Sequence, residues 1–327
     1  MSDSIQQPFD LVHEAEQAEG RIRSLIRETP LEYSEHLSQK CGCRVYLKLE
    51  NLQVTGSFKI RGAANHILSL SRSEKKRGVI TASTGNHGGA CAAVVKQTGI
   101  KGTIYLPENA SGVKLEAIKG YGVELAFHGS DCIETETFAR DIAERDGRTY
   151  IPPYNHPCII GGQATIGMEL IRRRDDLSAV LVPVGGGGLM AGVAGWLKAH
   201  RPEIITVGCQ PVNSPVMYES IKEGKIVDME SHPTLSSGTA GGIEKGSLTF
   251  DLCRRHVDDW LLVTEDEIRD ALLLMIREHR MLVEGAAALP VAALLKSADR
   301  FEGQTVVLII TGDKLDPSLL KKILQKQ

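Results

Sequence analysis

Ala179-Val180-Leu181-Val182-Pro183-Val184-Gly185-Gly186-Gly187-Gly188-Leu189-Met190 is the stretch that decides the fold. The near-continuous apolar run over 180–184 suits a strand buried on both faces, and the segment over 190–200 reads as a helix. Between them stand four glycines. Each costs roughly 1 kcal/mol in a helix or strand interior, so a run of them implies that something approaches the backbone too closely for side chains. Amides of such a loop, leading into a helix amino terminus, cradle a phosphate, with a merely flexible turn as the alternative. A dinucleotide is disfavoured because the next strand, over 205–208, leads into Cys209-Gln210 and not into an acid. A Walker loop fails because no Gly-Lys-Ser/Thr follows.

The same strand-loop-helix alternation runs outward in both directions. Short β-branched runs at 45–49, 79–82, 103–106, 123–126, 261–263 and 306–310 alternate with amphipathic segments, which makes the class α/β with mostly parallel sheets. Helices are expected over 57–70, with Ile60, Ala63, Ala64, Ile67 and Leu68 on one stripe, over 90–98, and over 265–280, with Ile268, Leu272, Met275 and Ile276 on another. The stretch 77–153 holds three strand-helix units of its own and ends in Ile151-Pro152-Pro153-Tyr154-Asn155-His156-Pro157, too proline-rich to continue a helix. We therefore expect a small domain over 55–154, inserted into a large domain formed by 1–54 and 155–327. No repeat is evident, and no further regulatory domain is expected.

Composition removes other classes. The 327 residues are 42% apolar and 24% charged, enough for one large or two ordinary globular domains. Thirty-eight Lys plus Arg against 41 Asp plus Glu, without a long basic run, leave no footprint for nucleic acid. The apolar runs fall far short of the roughly 20 residues that cross a bilayer, and the amino-terminal MSDSIQQPFDLVHEAEQ does not read as a secretory signal, so a soluble cytoplasmic protein is expected. Seven scattered cysteines argue against a disulfide framework. Cys41-Gly42-Cys43 with His36 lacks the second pair that a metal site needs.

Three further segments carry chemistry. In Thr55-Gly56-Ser57-Phe58-Lys59-Ile60-Arg61-Gly62, Ser57 is a natural N-cap, placing Lys59 in a first turn where the macrodipole disfavours an ammonium. Lys59 is then either a solvated surface lysine or an amine with lowered proton affinity, available to a carbonyl cofactor. Ser83-Thr84-Gly85-Asn86-His87 joins a strand to a helix and gathers hydroxyls, an amide and free N–H groups into an anion receptor fit for a carboxylate; an ordinary capped turn is the alternative. His87 either binds, caps or packs. Thr311 ends the strand 306–310, where it either bonds a ligand ring or simply favours β geometry.

In this order the segments resemble the fold-type-II pyridoxal-phosphate enzymes, specifically the threonine/serine dehydratase and serine racemase family. The resemblance covers nearly the whole chain, from Arg27-Glu28-Thr29-Pro30-Leu31 and Lys48-Leu49-Glu50-Asn51-Leu52-Gln53 to Val263-Thr264-Glu265-Asp266-Glu267-Ile268 and Glu284-Gly285-Ala286-Ala287. It implies a two-domain fold like that of the tryptophan synthase β chain, each domain an open, mostly parallel sheet flanked by helices. The wording of 81–87 and 235–243 looks most like the dehydratase-like branch associated with hydroxyectoine utilisation. The resemblance further implies that pyridoxal 5'-phosphate condenses with Lys59, that Asn86 bonds its 3-oxygen, that Gly185, Gly186, Gly187 and Gly188 hold its phosphate, and that Thr311 faces its ring nitrogen. Ser83, Thr84, Gly85, Asn86 and His87 would bind the substrate carboxylate, and Gly238 would lie near the ring. Lys59 would then remove the α-proton, and loss of the β-hydroxyl would yield a 2-oxo acid and ammonia. A homodimer is typical of the relatives.

Particular residues depart from the pattern or choose between its branches. A hydroxyl opposite the ring nitrogen, where other cofactor-binding folds use a carboxylate, is expected to leave that nitrogen largely unprotonated, favouring elimination over prolonged carbanion chemistry. Thr84 stands where racemases place a hydroxyl, and we expect it mainly to position the carboxylate. Gln210-Pro211-Val212-Asn213 lacks the carboxylates a divalent ion wants, so no metal is expected. Asp313-Lys314 replaces the usual glycine and asparagine; Asp313 either turns inward toward the ring or stays in a solvated turn. The rival functions are an amino-acid racemase, a β-replacement enzyme of the cysteine synthase type, and a catalytically silent cofactor-binding protein.

Overall fold

A computed structural model describes residues 9–110 and 112–325. Residues 1–8 of the stretch read for an export signal, and the terminal Gln327, lie outside the described residues. Ten strands are present among the described residues: β1 Leu31–Tyr33, β2 Arg44–Leu49, β3 Val79–Ala82, β4 Gly102–Leu106, β5 Glu124–Phe127, β6 Thr149–Tyr150, β7 Ala179–Pro183, β8 Ile205–Pro211, β9 Asp259–Val263 and β10 Thr305–Ile310. They form a six-stranded sheet in the order β1-β2-β10-β7-β8-β9 and a four-stranded sheet in the order β5-β4-β3-β6. All pairs are parallel except β1 with β2. The smaller sheet is built wholly from within 79–150, and the larger from residues on either side.

Every residue of β7 and β10 is buried, which is why both read in sequence as continuous apolar runs and not as alternation. Val307 lies opposite both Val180 and Tyr46, so β10 runs between β7 and β2. Because these neighbours are parallel, the glycine loop after β7 and Thr311 after β10 emerge at the same carboxyl edge, where open α/β sheets bind ligands. The eight strands read from sequence are all present. β1 and β6 are additions; at three and two residues they are too short to show a period.

The helix Lys59–Ser69 is fixed by charge. Arg61, fully buried, donates to both oxygens of Glu50 and both of Glu169, and Lys48 Nζ adds a 2.5 Å bond to Glu169. Two buried cations thus face two buried carboxylates, a combination that offsets most of its desolvation only while complete.

Candidate active site

The segment before Lys59 is zipped to the chain beyond β10. Ser57 bridges Gly312, Phe58 N–H donates to the Thr311 carbonyl at 3.1 Å, and Asp313 N–H donates to the Gly56 carbonyl at 3.0 Å. This corrects the expected capping. Phe58, already in helical conformation, occupies the N-cap without a side-chain bond, because the bridge draws Ser57 into extended pairing. The Ser57 hydroxyl is left buried with no partner among the described residues. The pairing also places Lys59, the first helical residue, beside the end of β10.

Lys59 Nζ donates to the Pro153 carbonyl at 2.8 Å. Burial lowers its ammonium to about 8, with the negative charge of Glu284 opposing the shift. About a tenth of this amine is therefore unprotonated at pH 7, against well under a hundredth for a solvated lysine.

The helix Asn86–Thr98 starts four residues earlier than expected, so Asn86 and His87 sit in its first turn. No side chain among the described residues caps it, and Gly85 precedes it as the N-cap. Its first N–H groups thus remain available beside the half-buried hydroxyl residues Ser83 and Thr84. Asn86 Nδ2 donates to Glu284 Oε2 at 2.7 Å, while Asn86 Oδ1 is buried without a partner among the described residues. His87 is turned away: its Nε2 lies 2.9 Å from the Ile151 carbonyl, and burial and Lys59 pull it down to about 3, so the ring is neutral and packs. Only its backbone belongs to the receptor.

In the glycine loop, a β-carbon on Gly186 would stand 2.5 Å from the Tyr154 ring, and one on Gly185 would stand 2.9 Å from the Thr239 α-carbon. Gly187 has φ +86, a conformation that favours glycine, and begins the helix Gly188–His200 without a side-chain cap among the described residues. Gly187 and Gly188 are buried, and a buried, uncapped helix start calls for an anion. Gln210, at the position a ribose-binding acid would take, is instead a brace: its Nε2 donates to the Val184 carbonyl at 3.1 Å, and its Oε1 accepts from Tyr218 N–H at 2.8 Å.

Thr311 is buried, and its hydroxyl donates to Glu284 Oε1 at 3.0 Å. Asp313 is exposed, its carboxylate against Gly56, whose β-carbon it would meet at 2.3 Å. Gly238 lies in an exposed turn, 3.5 Å from its ideal β-carbon to the Ala286 methyl. Glu284 received no role from sequence, yet it joins Asn86 to Thr311. Nothing in a Glu-Gly-Ala-Ala run announces this, because its partners lie 198 and 27 residues away. Arg61 and Tyr154 escape a reading of the sequence for the same reason.

These residues fit pyridoxal 5'-phosphate. The uncapped helix start at Gly187 and Gly188 suits a phosphate, the orphaned Asn86 Oδ1 awaits a donor such as a ring hydroxyl, and the lowered amine of Lys59 suits an aldehyde. No helix among the described residues is long and apolar enough to cross a membrane.

Known proteins resemble this chain over nearly its whole length. The chain is 39% identical to an L-threonine ammonia-lyase of Thermotoga maritima over 316 residues, 96% of this chain and 78% of that protein. Its fold matches the processed form of threonine deaminase isoform 2 from Solanum lycopersicum with a TM-score of 0.92 and 33% identity, over 99% of this chain and 94% of that one. It also matches maize serine racemase with a TM-score of 0.89 and 30% identity, over 96% and 98%. The family model described as pyridoxal-phosphate dependent enzyme matches residues 22–312, and the chain belongs to that family.

Proposed function

We propose that the protein is a pyridoxal-phosphate-dependent ammonia-lyase that removes the β-hydroxyl from a threonine- or serine-like amino acid, releasing a 2-oxo acid and ammonia. The observation that carries this reading is the amine of Lys59, held on the Pro153 carbonyl and lowered to about 8, at the edge where the serine-threonine loop, the glycine loop and Thr311 converge. The name of the Thermotoga relative supports the lyase over the racemase.

When bound, pyridoxal 5'-phosphate supplies an aldehyde for amines to condense with and a ring that delocalises the electron pair left at the α-carbon. The chain's own residues do the rest. The uncapped amides at Gly187 and Gly188 would hold the phosphate, Asn86 the 3-oxygen and Thr311 the ring nitrogen. Ser83, Thr84 and the N–H groups from Gly85 to His87 would hold the substrate carboxylate, which fixes the α-carbon. Lys59 Nζ, once displaced by the substrate amine, accepts the α-proton. The β-hydroxyl leaves as water after taking up a proton, and the released enamine is hydrolysed in solvent.

Thr84 serves carboxylate binding in this reading, and racemisation is slow. The wording of 81–87 and 235–243 favours a hydroxy amino acid derived from hydroxyectoine as the finer substrate. We further propose the division of the chain at 54/55 and 154/155, a homodimer and a cytoplasmic location. The experiment is a panel of β-hydroxy amino acids, each as separate stereoisomers, with 2-oxo acid and ammonia measured. Exchange of L- with D-serine without ammonia would replace the lyase by a racemase, and thioether or cysteine formation with added sulfide would replace it by a β-replacement enzyme.

A further inference from the structure

A cavity of about 390 Å³ is lined from two helices that hold none of the cofactor residues, Glu265–His279 and Pro317–Gln325, together with Leu235. That volume lies in the range of small-molecule sites. Leu235, Leu319 and Ile323 give it an apolar lining, and Glu265, Arg269 and Lys322 give it charge. The three acids in the first turn of the helix Glu265–His279 are not alike. Asp266 pairs with Arg269, and Glu267 with Lys296. Glu265 has no ion pair among the described residues: its Oε2 accepts from Leu235 N–H at 2.6 Å, and its Oε1 is buried with no partner among the described residues. A carboxylate oxygen left in this state calls for a donor. The bond to Leu235 also connects the cavity to the candidate active site. A β-carbon on Gly285, next to Glu284, would run into the Leu235 carbonyl, so the chain at Leu235 lies directly on that residue. From there Ser236 and Thr239 close a buried turn, their hydroxyls 2.6 Å apart, and the Thr239 α-carbon would stand 2.9 Å from a β-carbon on Gly185.

We propose that this cavity binds a small aliphatic molecule bearing an ammonium, and that its occupant acts on the cofactor site through the turn 236–239. The ammonium donates to Glu265 Oε1 and completes the carboxylate, while the aliphatic part covers Leu235, Leu319 and Ile323. A simple amine and an α-amino acid share this chemistry, and they differ in whether a carboxylate is offered to Lys322. The turn is packed between Gly185 on one side and Gly285 on the other, so it cannot shift without disturbing both. An occupant that steadies Glu265 steadies Leu235, and with it the backbone that abuts the glycine loop. Coupling of this kind is reciprocal: occupant and cofactor each bind more tightly when the other is present. The action on the site rests on the placement of the cofactor phosphate at the glycine loop under the proposed function, and the binding itself does not.

The test is calorimetric titration of the holoenzyme with N,N-dimethylisobutylamine and with N,N-dimethyl-L-leucine. Both are tertiary amines, whose ammonium keeps one N–H for Glu265 but cannot condense with an aldehyde, so the cofactor does not capture them. Saturable binding of the amine is expected in the wild type. Glu265→Gln keeps an acceptor for Leu235 N–H and removes the charge, and it is expected to weaken binding about tenfold or more. Leu319→Trp, which fills the cavity, is expected to abolish it. Tighter binding of the leucine derivative, with the advantage lost in Lys322→Ala, assigns the site to an α-amino acid; equal or weaker binding assigns it to a simple amine. Saturating probe is also expected to lower the cofactor's Kd about fivefold or more in the wild type and to leave it unchanged in Glu265→Gln. No saturable binding to the wild type overturns the site, and so does binding unchanged in whichever of Glu265→Gln and Leu319→Trp folds. Binding without any change in cofactor affinity overturns the action through the turn. A protein that binds the probe and captures no cofactor overturns the proposed function and that action, and supports the binding site.

Discussion

Arg61 closes a fork on Glu50: Nε donates to Oε2 and Nη2 to Oε1, each at 2.8 Å, and neither side chain reaches solvent. Two residues upstream is the amine, so this pair fixes the helix that carries Lys59. The same guanidinium serves Glu169, whose carboxyl burial would raise but which Arg61 and Lys48 bring down to about 2. Arg61→Ala leaves two buried carboxylates facing Lys48 and the partly exposed Arg23, and should cost about 3–5 kcal/mol in denaturant unfolding. A loss under about 1 kcal/mol would show that the network is not the anchor described. Because the folded Glu169 lies below its ordinary 4.5, its contribution is complete above that pH and should be lost as pH falls toward about 2.

Cofactor capture should follow the titration of Lys59. The nucleophile is the neutral amine, and burial brings the ammonium from 10.5 to about 8. The rate at which apoenzyme gains the cofactor's absorbance should therefore rise through about pH 8 and level above it. A rate still climbing at roughly pH 10, the range of an unperturbed lysine, would mean a solvated amine. Lys59→Ala should abolish labelling by borohydride and leave the fold intact.

Legibility in the sequence divides along range. β7 and β10 are readable because burial on both faces turns a strand into an apolar run, and the glycine loop because four adjacent glycines have few physical reasons to coexist. The start of the helix at Lys59 is not, because Ser57 is a good cap by type and only the distant Gly312 draws it into a bridge. His87 offers three readings, and the Ile151 carbonyl decides among them from 64 residues away. Glu284 carries no local signal at all; its role exists only once the ends of β10 and the helix Asn86–Thr98 meet.

Close packing at the glycine loop predicts a coupled pair. Gly186→Ala would drive its methyl into the Tyr154 ring, and overpacking of this kind costs about 1–3 kcal/mol. The loss should shrink when the same change is made in a Tyr154→Ala background, since the obstructing ring is then gone. A double-mutant cycle by thermal unfolding measures the coupling. Strict additivity would mean that the glycine is needed only for what binds on its other side.

Glu244, in the segment after Gly238, ties that segment to the helix Cys132–Arg145 and to Asn155. Its Oε1 accepts from Arg140 Nη2 at 2.5 Å, on the helix Cys132–Arg145, and its Oε2 accepts from Asn155 Nδ2 at 2.7 Å. The ion pair's side chains keep 39% and 33% of their surface in solvent, so its contribution to stability should stay below about 1 kcal/mol. Its effect should fall on substrate binding, because Glu244 follows the turn containing Gly238 and its N–H donates to the hydroxyl of Tyr154, the ring beside Gly186. Glu244→Gln should therefore raise KM with little change in kcat and almost none in Tm. Salt offers the check: screening should raise the wild-type KM as ionic strength grows, while the variant, already without the charge, should respond less. Equal salt dependence in both proteins would show that the pair does not act on substrate binding.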